Sequence, residues 1–492
     1  MQLRFSTFII LAALLISACK KEGDRFNQPP DTYFAIESIN LSGDQRLNTI
    51  VRLTWYGTDP DGYIKGYELS TNGSDWTYTT QQDSTFNFSI PVDSDTTDVE
   101  LQIRAIDNQN VKDPSPDKLI IPLKNTAPTA TFDQNLSLPD TAFLVATTAW
   151  DATDLDGEQT ITQVLLSING IDWVELNQRE KTISILPTNP KASDTVDAKL
   201  YYGTNNQTEP FLLKGLSMND TNHLFIKSVD QAGVESKIDT STAFYMKGKI
   251  NDILVIGGVS SANNRYRNIL NSANIDFDFF DLTYSNGINQ PNIWNITFRL
   301  QLLQYGKLFF YSDETGYTNP YTNVKQILLE FAASSLQEYA NLGGKYLITS
   351  YFDHDQPIDG FRGVLPIQSL STKNYADANL LKDSFALPID TNYPALNTQK
   401  PVAITKLGLF NIDTTDTDVF YTGQLSDRRV GRNYPPWPDT KILASARPKK
   451  QNINSNERYN QIFFSVQLWE LNGDKTALIN LFDRIFNTEF QE

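Results

Sequence analysis

Trp55-Tyr56-Gly57-Thr58-Asp59-Pro60-Asp61-Gly62 returns later in the chain as Trp150-Asp151-Ala152-Thr153-Asp154-Leu155-Asp156-Gly157, and that recurrence decides how the first half is built. Two further blocks follow in the same order. Leu69-Ser70-Thr71-Asn72-Gly73-Ser74-Asp75-Trp76 matches Leu166-Ser167-Ile168-Asn169-Gly170-Ile171-Asp172-Trp173. Leu101-Gln102-Ile103-Arg104-Ala105-Ile106-Asp107 matches Leu224-Phe225-Ile226-Lys227-Ser228-Val229-Asp230. The offsets are 95, 97 and 123 residues, so the second copy carries an insertion of 26, placed around residues 185–210. Ordered blocks at a near-constant spacing mark a duplicated domain.

Each copy reads as short strands. Val51–Trp55 and Leu101–Ala105 alternate apolar and polar residues, the period of a strand with one face buried. The Asp-Pro-Asp-Gly and Asn-Gly stretches supply turns, because proline fixes φ, glycine accepts positive φ, and Asx side chains bond nearby backbone amides. About seven strands in about 95 residues predict a β-sandwich. Its core would hold Trp55, Tyr67, Leu69, Leu101 and Ile103, with Trp150, Leu166, Leu224 and Ile226 as counterparts. On these blocks the copies resemble the fibronectin type III or immunoglobulin-like modules of secreted bacterial proteins. They are expected over residues 32–124 and 126–247, joined at Asn125-Thr126-Ala127-Pro128.

The blocks also repeat a set of carboxylates. In a seven-stranded sandwich the loop holding Asp59 and Asp61 and the loop holding Asp107 lie at one end. Three carboxylates converging there can hold calcium, a hard cation that takes oxygen ligands. Asp154, Asp156 and Asp230 repeat the set. The alternative is a tight turn whose aspartates cap backbone amides.

After Lys247-Gly248-Lys249 strands begin to alternate with helices. Asp252–Gly258 is an apolar run closed by glycines, the pattern of a buried parallel strand. A helix is expected over 263–272, strands over 277–281, 308–312 and 346–350, a helix over 324–342 and a closing helix over 475–488. This alternation predicts an α/β doubly wound sheet over residues 250–490. Ile253-Leu254-Val255-Ile256-Gly257-Gly258 and Ala340-Asn341-Leu342-Gly343-Gly344-Lys345-Tyr346-Leu347-Ile348 resemble the class I glutamine amidotransferase-like, flavodoxin-like group. That resemblance implies a catalytic Cys in a strand-to-helix elbow with a nearby His. The chain has one Cys, Cys19, far from this region, and no Gly-x-Ser-x-Gly elbow, so the chemistry does not carry over.

Other candidates are smaller. Gly257-Gly258-Val259-Ser260 can cradle an anion. Asp353-His354-Asp355 follows a strand at the edge where open α/β sheets bind ligands, and a His between two aspartates can act as a base or metal ligand. Loop aromatics at Tyr317, Tyr321, Tyr434 and Trp437 can stack on sugar rings or anchor a protein partner. Each has a plainer alternative, a solvated loop or a ring packed on its own domain.

The N-terminus is an address. Arg4 precedes an apolar run over residues 5–16, too short to span a bilayer and suited to a secretory signal. Leu15-Ile16-Ser17-Ala18-Cys19 resembles the lipobox of bacterial lipoproteins, which implies cleavage after residue 18, lipidation of Cys19 and anchoring through its acyl chains. A tether over 19–31 follows, and Lys20-Lys21-Glu22-Gly23-Asp24 is similar to export signals of surface lipoproteins in the Bacteroidota. The expectation is an outer-membrane lipoprotein facing outward, with a periplasm-facing orientation as the alternative.

The chain has 492 residues, 41 Lys plus Arg against 58 Asp plus Glu and a net charge of −17, which excludes a nucleic-acid partner. One Cys and two His exclude a disulfide framework and leave little for His-based catalysis. The expected function is a non-catalytic binding or accessory subunit at the cell envelope, recognising a glycan or an envelope protein complex. The alternatives are a surface hydrolase acting on carbohydrate or peptide through the α/β domain, and a structural spacer.

Overall fold

A computed structural model describes residues 26–491 apart from 37–38, 40, 42–44, 93, 204–210, 284–290, 292, 314–315, 320–321, 399–402, 430–433 and 453–454. The segment expected to be a signal, Cys19 and Tyr321 lie outside the described residues. Two compact units form: one holds Met1–Pro128 with the loops Thr153–Thr162 and Val229–Ser236, the other holds Thr129–Ala152, Gln163–Ser228 and Lys237–Glu492.

The first copy is a two-layer sandwich. Strands Asp31–Phe34, Ile50–Thr58 and Asp83–Asn87 make one antiparallel sheet with Ile50–Thr58 in the centre. Thr77–Thr79, Ile64–Ser70, Thr96–Asp107 and Asp117–Lys124 make the other, in that order. The alternation in Ile50–Thr58 sends Val51, Leu53 and Trp55 inward against Tyr67, Leu101, Ile103 and Ile121. Leu69, expected in this core, is only half-buried.

The second copy repeats this plan and extends it. Thr182–Pro187 takes the place of Asp83–Asn87, and the inserted residues form a hairpin, Thr195–Tyr202 and Leu213–Ser217, that continues the sheet beyond it. The insertion expected around residues 185–210 is thus an added pair of strands, which begins later, at Thr195, and ends beyond it, at Ser217.

Beyond residue 250 a nine-stranded sheet forms. Its first five strands are parallel, in the order Asp278–Asp281, Ile253–Gly257, Lys307–Tyr311, Lys345–Thr349, Gln461–Phe464. Ile253–Gly257 and Lys307–Tyr311 are almost wholly apolar, as strands covered on both faces must be. Helices Ser260–Ser272 and Lys475–Arg484 pack with one face of the sheet, and Leu328–Asn341 with the other. Four antiparallel strands, Ile442–Arg447, Asp418–Gly423, Phe385–Pro388 and Leu396–Asn397, then widen it. The parallel pattern alone did not anticipate these. The helix expected over 324–342 starts at Leu328, because Lys325–Ile327 pairs instead with Gly316–Thr318. Near the C-terminus a buried Glu489 accepts from Lys450 at 2.8 Å, the Tyr393 hydroxyl at 2.6 Å and the Tyr459 amide at 2.6 Å. That saturation is what makes a buried ion pair tolerable.

Candidate functional site

The acidic loops of the two copies hold their carboxylates against amides. Asp107 accepts from the Gln109 and Val111 amides, both at 2.8 Å, and from the Asn27 side chain. Asp61 accepts from the Gln28 amide at 3.3 Å, and Asp59 from the Asp61 amide at 3.3 Å. The second set does the same work. Asp230 accepts from the Val234 amide at 2.8 Å and the Asn125 side chain at 2.5 Å. Asp156 accepts from the Thr49 and Thr126 amides at 3.0 and 2.6 Å, and Asp154 from the Asp156 amide at 2.9 Å. Each module is therefore entered by a segment whose Asn is latched to its own acidic loops, Asn27 in the first and Asn125 in the second.

The electrostatics of the two loops differ. Burial pushes Asp107 up, but the Asn27 side chain and the loop amides outweigh it and hold the carboxyl below its ordinary range. Asp154 is pushed up by burial, with the charges of Asp156 and Asp230 adding to it. The amide-capping alternative accounts for these contacts. Among the described residues no group of three His, Cys, Asp or Glu side chains is arranged to hold a metal ion.

In an open α/β sheet, ligands bind at the carboxyl ends of strands where the order reverses. Here that point lies between Ile253–Gly257 and Lys307–Tyr311, and side chains beside it are bonded to one another. The Tyr311 hydroxyl donates to Asn263 at 2.8 Å, and Asn263 donates to Asp281 at 2.9 Å. The Gly258 amide donates to the Tyr311 carbonyl at 2.7 Å, so it is not available to an anion. A Cβ at Gly258 would sit 2.5 Å from that carbonyl, so the second glycine serves close packing rather than a phosphate cradle.

One step along the edge lies Asp313, a residue that no motif in the sequence singles out. It is buried, with a left-handed φ of 53°. Gln467 donates to its carboxylate, and Ser350 donates to its carbonyl at 3.4 Å. Ser312 and Ser350, both fully buried, share a 3.1 Å hydroxyl contact beside it. Burial pushes the Asp313 carboxyl up to about 6, against the pull of Gln467, the Tyr351 amide and Lys406, with Glu470 adding to the rise.

The Asp353-His354-Asp355 segment is held by its hydrogen bonds. His354 Nε2 lies 2.9 Å from the Ser371 carbonyl and so carries a proton there, while Nδ1 faces Asp355 at 3.3 Å. Its ring packs edge-on to Tyr375 at 5.3 Å. Asp353 accepts from the Tyr351 hydroxyl at 3.4 Å.

Two of the aromatic candidates need correction. Tyr317 is buried between Trp294 and Phe331, at 5.7 and 5.3 Å between ring centres. Trp437 is buried in the core of the sheet domain. Both pack their own loops, where their large apolar area is removed from water. Tyr434 alone among the described three is exposed.

The chain matches no protein-family model and no curated protein. Among solved structures, 44% of it is similar to the fibronectin(III)-like modules of Clostridium thermocellum CbhA, at 10% identity over 94% of that chain with a TM-score of 0.16. The same share is similar to a two-domain fibronectin type III segment of chicken tenascin, at 11% identity over 99% of that chain with a TM-score of 0.21. A further 11% identical match, covering 46% of this chain and 51% of the other with a TM-score of 0.13, is SGBP-B of a Bacteroides ovatus mixed-linkage glucan utilization locus, in complex with a mixed-linkage heptasaccharide. Scores this low carry no functional weight, and any functional reading has to rest on the chain's own geometry.

Proposed function

We propose that this chain is a lipoprotein of the cell envelope, anchored through Cys19, that works as a non-catalytic binding or accessory subunit. Two sandwich modules come first in the chain, and a doubly wound α/β domain of the flavodoxin-like type, the C-terminal head, follows them. The observation that carries the reading is the internal hydrogen bonding at the switch point of the head. Asn263, Asp281 and Tyr311 are bonded to one another beside the point where such sheets take substrates, and His354 is committed to the Ser371 carbonyl. A hydrolase needs an accessible base or nucleophile within hydrogen-bond reach of substrate. A glycan or an envelope protein complex is the expected partner.

Affinity capture of the native, lipidated protein from gently solubilised envelope tests this. A stoichiometric partner that is lost when residues 250–492 are deleted supports an accessory subunit docking through its head. Recovery of the protein alone, with measurable turnover on oligosaccharide or peptide substrates, would sink it.

One observation favours the hydrolase alternative. Asp313 combines a left-handed backbone with a carboxyl raised to about 6, the condition of an acid or base poised for proton transfer. In that reading Asp313 and Gln467, not the His354 segment, form the working site. Turnover abolished by Asp313→Asn in a folded protein would establish it.

A further inference from the structure

The duplication provides an internal control for what each sandwich leaves open. Since Trp55 and Trp150 are equivalent, Leu53 matches Thr148 and Val51 matches Ala146. The ladders set Ser84 opposite Leu53 and Phe86 opposite Val51 in the first copy, and Ile183 opposite Thr148 and Ile185 opposite Ala146 in the second. Ser84 and Phe86 therefore occupy the places of Ile183 and Ile185.

What lies beyond those places differs. In the second copy the inserted strand sets Tyr202 opposite Ile183 and Leu200 opposite Ile185, and all four side chains are buried. In the first copy Asp83–Asn87 ends its sheet among the described residues. Phe86 is half-buried and Ser84 exposed, and Leu69 is half-buried where its counterpart Leu166 is fully buried. Thr77–Thr79 ends the facing sheet on the same side, and between the two edges opens a cleft of about 530 Å³, with Trp55, Leu69, Phe86 and Leu101 as its apolar part and polar residues such as Asn72, Asp75 and Ser84 lining the rest.

The backbone phase suits an added strand. The Trp55 amide donates to the Gln82 carbonyl and the Phe88 amide to the Thr49 carbonyl. Ser84 and Phe86 therefore turn their amides toward Ile50–Thr58, while Thr85 and Asn87 turn theirs outward. A bare edge of this kind is a template for pairing.

We propose that the edge Asp83–Asn87 docks an extended strand of a partner polypeptide, antiparallel to it, with apolar side chains at two alternate positions opposite Ser84 and Phe86. The second copy argues the occupant's chemistry, since its own chain supplies such a strand at the equivalent edge. The mode is β-augmentation: main-chain hydrogen bonds hold the strand and the cleft selects its side chains. The inference deepens the accessory-subunit reading by naming a surface and a class of partner.

The probe is the chain's own inserted strand, a fluorescein-labelled peptide of residues 195–202, titrated into the purified full-length protein and followed by anisotropy. Saturable binding is expected, together with loss of binding by a scrambled peptide that breaks the apolar alternation. Thr85→Pro removes an outward donor and leaves the inward ladder, and Leu69→Asn changes the floor of the cleft. Each is expected to weaken binding about tenfold or more, with melting curves reporting the fold. The proposal is overturned if the wild-type protein does not bind, if the scrambled peptide binds equally, or if folded variants bind like wild type. Binding of a soluble β-glucan with no binding of the peptide would overturn it too, as a sugar cleft. A silent peptide with envelope capture intact removes this surface and leaves the accessory reading standing.

Discussion

The two sandwich copies start from the same blocks and solve the same problem differently. Both bury a Trp on equivalent strands, Ile50–Thr58 and Ala146–Thr153, and latch an incoming Asn to acidic loops. Yet the second covers its edge with a hairpin of its own, while in the first no strand among the described residues pairs with the equivalent edge. The lesson is that a residue's burial belongs to the neighbouring strand as much as to its own pattern. Leu69 and Leu166 sit in matching sequence, and only the second is fully buried.

The largest test of this contrast is a pair of truncations. Leu200→Ala removes a fully buried side chain from the covering strand and is expected to cost about 2–5 kcal/mol, because the cavity only partly collapses. Phe86→Ala, at the half-buried equivalent edge, is expected to cost about 1 kcal/mol, since much of its area never left water. Denaturant unfolding of both variants measures it. Equal losses would mean that the first edge is as closed as the second.

A buried carboxyl in the head sharpens the same point by moderate effect. Asp313 is raised to about 6, so the folded chain binds its proton more tightly than the unfolded chain does. Ionisation then costs stability as pH rises from about 4 through about 6, to a limit of roughly 3 kcal/mol. Asp313→Asn, which also tolerates a left-handed backbone better, is expected to raise the melting temperature at neutral pH and leave it unchanged near pH 4. A lower melting temperature at neutral pH would mean that the charge itself holds the site.

The smallest effect separates the acidic loops. Asp107 is held below its ordinary range, so its contribution is present at neutral pH and lost as pH falls through the carboxylate range. Asp154 is held above it, so its charge costs stability at neutral pH and the cost vanishes in acid. Asp107→Asn is expected to lower the melting temperature at pH 7 and Asp154→Asn to raise it, with both shifts fading in acid. Shifts of the same sign would break the contrast. Repeating the melts with millimolar calcium after chelation checks the capping geometry, which predicts no change.

Much of the first half was legible because alternation and turn chemistry are local. Val51, Leu53 and Trp55 point inward as the pattern requires, and the offset between blocks located the inserted hairpin before its role was visible. The parallel strands of the head announce themselves as apolar runs. Its antiparallel extension did not, because Phe385–Pro388 and Leu396–Asn397 are short strands set among long loops. Tyr317 and Trp437 misled for a physical reason: an aromatic in a loop has the same sequence whether it faces water or its own domain. Asp313 was invisible because its hydrogen-bond partners, Gln467, Ser350 and Tyr351, are distant in the chain.

The Asn latches have a mechanical consequence. Asn27 is tied to Asp107 and the Gln28 amide to Asp61, just ahead of the strand Asp31–Phe34, and Asn125 and Thr126 repeat the arrangement at Asp230 and Asp156. A pull on the chain ahead of residue 27 thus strains a side-chain knot before it reaches any ladder. The second knot follows the last ladder of the first module and precedes the next one in the chain, so each module has its own fuse at the point where tension enters.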